Sequence, residues 1–211
     1  MKLYTYWRST SSYRLRIALA LKGLVFESIP IHLVRDGGEH NKPAFRAINP
    51  QGRVPAVVLD DGNILTQSPA IIEYLEETYP SPALLPADPV GRAKVRAVAA
   101  IIGCDIHPLN NSGPLNYLRR ILESSEPEVQ GWISTWISQG FSAVEELIGG
   151  ESYCFGAAPG LADVYLLPQV YSARRFGLSL APYPKMLRVE ALALEHPAFK
   201  QAHPSNQPDA E

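Results

Sequence analysis

A chain of 211 residues with a hydrophobic fraction of 46% can bury a real core, as one large domain or two small ones. Its formal charge of −2, with Lys and Arg spread along the chain, offers no basic block for nucleic acid, and no apolar run approaches the roughly 20 residues that span a bilayer. Cys104 and Cys154 lie far apart without a CxxC pair, and the five histidines lack metal-ligand spacing, so neither a disulfide framework nor a metal site is expected.

Residues 2–6 are aromatic-rich between polar neighbours and predict a strand; they lack the apolar stretch of a signal peptide, which points to the cytoplasm. Residues 12–22 predict a helix with Leu15, Ala18 and Leu19 on one face and Gly23 as its stop. A strand is expected over 26–31 and a short helix over 43–47, ended before Asn49-Pro50. Two apolar runs, 54–59 and 63–66, flank Asp61-Gly62, a strong hairpin signal. Ser68-Pro69 then opens a helix, with Ser68 as the expected cap and Ile71, Ile72, Leu75 and Tyr79 as its apolar face. The order β-α-β-α-β-β-α describes an α/β domain over residues 1–80.

The proline-dense stretch 81–88 reads as a linker with its own apolar anchor, and residues 89–211 have helical grammar throughout. Asp88-Pro89 is an N-cap pair, followed by Val95, Val98, Ala99 and Ile102 at helical spacing. Ile133, Trp136, Ile137, Phe141 and Val144 make a second apolar face, with further helices expected over 161–176 and 184–195. Pro114 should interrupt its helix. Cys104 and Cys154 fall in or beside helices and are expected to be buried and inert.

An α/β unit of this order, with a proline before its third strand and a helical domain behind it, resembles the cytosolic glutathione transferases. The run Arg8-Ser9-Thr10-Ser11-Ser12-Tyr13-Arg14-Leu15-Arg16 is similar to the signature of their zeta class, which contains the maleylacetoacetate and maleylpyruvate isomerases. So are Asn49-Pro50-Gln51-Gly52-Arg53-Val54-Pro55, Gln67-Ser68-Pro69-Ala70-Ile71, Pro168-Gln169-Val170 and Ala173-Arg174-Arg175-Phe176, in the same order. Departures are Ser9-Thr10-Ser11 where many members carry a cysteine, Gly160 where a Ser or Thr cap is usual, and Asn111-Ser112-Gly113-Pro114 without the arginines of some maleylpyruvate-specific members.

The resemblance implies a thioredoxin-like N-terminal domain, an all-α C-terminal domain, glutathione as cofactor, a small maleyl dicarboxylate as substrate and a homodimer. The chemistry needs a thiolate, and a helix N-terminus with a hydroxyl cluster can stabilise one. Ser9 is the expected hydroxyl, with Thr10 and Ser11 as alternatives; all three also suit plain capping and turn formation. By resemblance Val54 pairs with the cysteinyl backbone of glutathione, Pro55 is cis, and Gln67 and Ser68 hold its γ-glutamyl carboxylate. His40, Gln51 and His107 are weaker ligand candidates, and His107 beside Pro108 equally suits a structural role at a kink. Arg8 and Arg175 are the expected carboxylate-binding arginines, whereas Arg174 reads as a solvated surface charge. Two alternatives stay open: a general transferase that conjugates or dehalogenates small electrophiles, and a non-catalytic binding protein of the same fold.

Overall fold

In β1 (Lys2–Thr5) Leu3 and Thr5 are buried while Lys2 is exposed, the period-two alternation of a strand with one face on a core. The structure, a computed structural model, describes residues 1–150 and 152–211. β1 runs parallel to β2 (Glu27–Pro30) and antiparallel to β3 (Ala56–Val58), which pairs antiparallel with β4 (Ile64–Thr66), in the order β2-β1-β3-β4. A parallel pair needs a crossover, and α1 (Thr10–Leu21) supplies it. The Asp61-Gly62 turn closes β3 onto β4, with Leu59 N–H donating to Asn63 O at 2.8 Å and Gly62 at φ 89, a conformation open to glycine.

With α2 (Pro43–Arg46) and α3 (Ser68–Thr78) the element order is the one expected, and the differences lie at the ends. α1 begins at Thr10 rather than Ser12, because the Ser9 side chain accepts from the Ser12 N–H and caps it. Ser68 is not the cap of α3. β4 ends at Thr66, so the cap falls on Gln67 at φ 68, and Ser68 lies inside the first turn.

α1 is buried along nearly its whole length, so covering one face with the sheet is not enough. The second cover comes from the far end of the sequence: α9 (Pro197–Ala202) packs on α1 with Ala198, Phe199 and Ala202 buried. The chain divides accordingly into Met1–Ala83 together with Glu195–Glu211, and Leu84–Leu194. Residues 195–211, which helical grammar groups with the second half, belong to the first unit.

The second unit comprises α4 (Pro89–Ala100), a π-helical turn at Ile101–Ile106, α5 (Ser112–Arg120), α6 (Glu126–Leu147), α7 (Leu161–Arg175) and α8 (Pro184–Glu195). Asp88 caps α4 by accepting from Gly91 N–H at 2.7 Å. Pro114 does not interrupt α5. It sits in the first turn, where its missing N–H forfeits no helical bond, behind Asn111, whose Oδ1 accepts from Ser112 N–H at 2.7 Å. The Asp163 carboxylate, 1% exposed, accepts from Gly160 N–H at 2.8 Å and Cys154 N–H at 2.9 Å and so fixes the start of α7. A Cβ on Gly160 would lie 2.9 Å from Leu84 O, which explains glycine at that cap. Cys154 is buried as expected, but Cys104 is exposed, carried outward on the π-helical turn.

Candidate active site

The first unit places the serine cluster where β1 turns into α1. Ser9 N–H donates to Tyr6 O at 3.0 Å, and Ser9 Oγ accepts from Ser12 N–H at 3.2 Å. Ser9 Oγ also lies 3.2 Å from Ser11 Oγ, and Ser11 Oγ donates to Val54 O at 3.1 Å. The proton inventory separates the two hydroxyls. Ser11 spends its proton on Val54, whereas Ser9 is held as an acceptor and its own proton stays available for Ser11 or for an anion. Thr10 is 8% exposed, a poorer position from which to meet a ligand. Arg8 is exposed, its guanidinium 5.4 Å from the centre of the Trp7 ring.

Two bonds from α1 gather the rest of this set. Ser11 reaches the Val54-Pro55 peptide, which is cis. Arg14, only 1% exposed, donates through one of its terminal nitrogens to Ser68 Oγ at 3.2 Å at the start of α3. Gln67 donates to Gln51 Oε1 beside it. His40 stands in a 3-10 turn whose carbonyl comes so close to Gly52 that a Cβ there would meet it at 2.9 Å. Burial, and then the Arg46 charge, hold His40 below its ordinary pKa of 6.5. Neither α1 nor α3 has an acidic residue in its first turn. Both N-terminal ends therefore keep their partial positive charge for an incoming anion.

His107 and Arg175 belong to the second unit. His107 follows the π-helical turn and donates its N–H to Ile102 O at 2.9 Å. Arg175 ends α7, exposed, with its guanidinium 5.2 Å from the Phe176 ring centre. Its neighbour Arg174 is exposed, as expected of a surface charge, and makes a two-pronged ion pair with Glu190. Sequence reasoning missed Arg14 and Arg16, both buried on α1, and Asp209, which accepts from Trp7 N–H at 2.9 Å. Two arginines interleaved with the apolar residues of a short helix were the available signal.

A family model described as "Glutathione S-transferase, N-terminal domain" matches residues 8–78, the span that holds every first-unit site residue named above except Tyr6, Trp7 and Asp209. The maleylacetoacetate isomerase of Pseudomonas aeruginosa is 63% identical over 209 residues, covering 99% of this chain and 98% of that protein. The chain belongs to the zeta class of glutathione transferases. The holo structure of a bacterial zeta-class maleylpyruvate isomerase superposes with a TM-score of 0.96 at 53% identity, covering 100% of both chains. A maleylacetoacetate isomerase from Anaeromyxobacter dehalogenans, solved with glutathione bound, gives a TM-score of 0.89 at 42% identity over 100% of this chain and 97% of that one. The zeta-class fold thus accounts for the two-part architecture: a thioredoxin-like unit with a four-stranded sheet and a helical unit.

Proposed function

We propose that this protein is a glutathione-dependent isomerase that converts the cis double bond of a small maleyl acid to trans in aromatic catabolism, with maleylacetoacetate ahead of maleylpyruvate as substrate. The observation that carries the proposal is Ser9: a hydroxyl at the N-terminus of α1 whose proton can turn from Ser11 to an anion, next to an exposed arginine.

The first unit fits the tripeptide. Val54 is 7% exposed, and among the described hydrogen bonds none uses its backbone N–H. That donor and the Val54 carbonyl suit an extended peptide backbone. The α3 N-terminus, with Ser68 and the buried charge of Arg14 behind it, suits the γ-glutamyl carboxylate, with Gln67 alongside. We assign His40, Gln51 and His107 as secondary ligands.

Bound glutathione supplies a thiol whose anion adds reversibly to the activated double bond, so that rotation and elimination release the trans acid. The chain's part is to make and aim that anion. Lowering a thiol pKa of about 8.5 by ~2 units takes ~2.7 kcal/mol. A helix end contributes about 0.3–1 kcal/mol and a hydroxyl donated to an anion about 1.5–3. The α1 end and Ser9 together reach the requirement, which neither end nor hydroxyl meets comfortably alone. Arg8 and Arg175 bind the carboxylates in parallel two-donor fashion and stabilise charge that develops on the acid. The α/β unit takes the glutathione role and the helical unit the substrate role. The absence of arginine at Ser112 and Gly113 favours the longer maleylacetoacetate tail. Among the described residues no helix is long and apolar enough to cross a membrane, and we place the protein in the cytoplasm as a homodimer.

Isomerisation of maleylacetone and of maleylpyruvate, followed by absorbance with and without glutathione, tests the reading. Turnover that requires glutathione without consuming it is expected, faster on maleylacetone. Consumption of glutathione with a halogenated electrophile, and no isomerisation, would make the protein a conjugating transferase instead.

A further inference from the structure

We propose that Asp209 is a positioning residue: its carboxylate, returned by the C-terminal segment, fixes the Trp7 peptide and through it Arg8 and Ser9. The proposal rests on the role given to Ser9 above and adds to it a residue outside the span of the matched family model.

Trp7 lies between the end of β1 and the reactive pair, and each of its backbone groups is held by a charge. Its N–H donates to Asp209 Oδ2 at 2.9 Å, and its carbonyl accepts from an Arg16 terminal nitrogen at 2.9 Å. Hydrogen bonds with an ionised partner are about twice as strong as neutral ones. Arg16, 2% exposed, is itself tied to Tyr6 O, Thr5 Oγ1 and Ala202 O at 3.3, 3.2 and 3.1 Å. Trp7 is thus clamped between α1 and the returning segment.

What Trp7 carries is the site. Its ring lies beneath the Arg8 guanidinium, and the bond from Ser9 N–H to Tyr6 O closes the turn around it. A turn of the Trp7 peptide therefore moves the ring partner of Arg8 and the cap position of Ser9 together. The Asp209 carboxylate has little else to do. Its other oxygen is buried without a hydrogen-bond partner, a costly arrangement for a residue that only fills space. The segment is anchored separately, by Glu211 to Arg35 at 2.9 Å and to His32 at 3.2 Å, beside a cavity of about 350 Å³ lined by Pro30, His32, Arg35, Asp209 and Glu211.

The test compares the parent protein with Asp209→Ala and Asp209→Asn by titrating the thiol of bound glutathione in the ultraviolet and by measuring kcat and KM for maleylacetone. Charge and position act with opposite sign. Removing a nearby carboxylate lowers a thiol pKa, whereas losing the Ser9 hydroxyl from its place raises it. Asp209→Ala is expected to raise the bound-thiol pKa by about one unit and to lower kcat about tenfold. Asp209→Asn, which keeps an oxygen for Trp7 N–H, is expected to stay within about twofold of the parent in kcat. An unchanged or lowered thiol pKa in Asp209→Ala, or an equal rise in both variants, overturns the proposal. Amide exchange of Trp7 in the parent needs no variant to fold: protection is expected, and free exchange overturns it. If the parent fails to isomerise any maleyl acid, the function reading falls while the thiol titration still ranks the variants.

Discussion

At the scale of single residues the site is decided by where three protons go. Ser11 commits its proton to Val54 O, Ser12 N–H is spent on Ser9 Oγ, and the Ser9 proton goes to Ser11 or to an incoming anion. Ser9→Ala is therefore expected to lower kcat about 10- to 100-fold, the worth of a hydroxyl bond to an anion, and to raise the pKa of the bound thiol. It also removes a helix cap, so thermal unfolding should show a loss of about 1 kcal/mol that the kinetic effect exceeds. Ser11→Ala should act chiefly on KM for glutathione, through the Val54 loop; equal kcat losses in the two variants would mean that either hydroxyl can serve the thiolate. Ser9, Val54 and Ser68 could be named as candidates because their runs of residues carry a resemblance. Arg14, Arg16 and Asp209 could not: their bonds to Ser68, Ala202 and Trp7 span 54, 186 and 202 positions, and no local spacing encodes such pairs.

At the scale of elements, the ends carried most of the surprises. Gly160 stands where a side-chain cap is usual, and the structure supplies both the substitute, Asp163, and the reason, the Leu84 carbonyl. Gly160→Ala should cost about 1–3 kcal/mol because backbone must shift. Asp163→Ala should cost about 2–4 kcal/mol, since two N–H groups lose their acceptor. Denaturant unfolding checks both, and a Gly160→Ser protein as stable as the parent would refute the steric account. The 3-10 turn at Pro204–Asn206 brings in pH. His203 accepts from Ser205 N–H at 3.3 Å, and burial, followed by the Arg16 charge, holds it below its ordinary 6.5. His40 is shifted the same way. An unfolded histidine takes up its proton near 6.5 while these two resist it, so stability present above that pH is lost as the pH falls through the window beneath it. Melting temperature should drop between about pH 7 and 5.5, and His203→Asn, which keeps a capping oxygen, should flatten part of that slope.

At the scale of the molecule, the order of the main elements was readable where periodicity and turn chemistry agree: alternation in β1, Asp61-Gly62 in the hairpin, Asp88-Pro89 at α4. What periodicity could not report was which element covers which. α9 is six residues long, too short to announce itself, and its place on α1 depends on an intervening unit of the chain. The same holds for the π-helical turn, since Gly140 on α6 makes room for the Ile106 side chain, a fit that no window of sequence displays. Light scattering of the purified protein should give twice the mass of one chain, and a monomeric mass would withdraw the proposed homodimer.

The return of Glu195–Glu211 to α1 has a consequence for biogenesis. A ribosome emits the sheet first, then the entire helical unit, and only then the stretch that seals α1. Until that stretch appears, Arg16 lacks the Ala202 carbonyl and Trp7 lacks the Asp209 carboxylate. The nascent α/β portion should therefore wait, unsealed, while the helical unit is made behind it. A stalled chain ending near residue 194 should be cleaved readily within residues 1–83 by added protease, and release of the last stretch should confer resistance in one step.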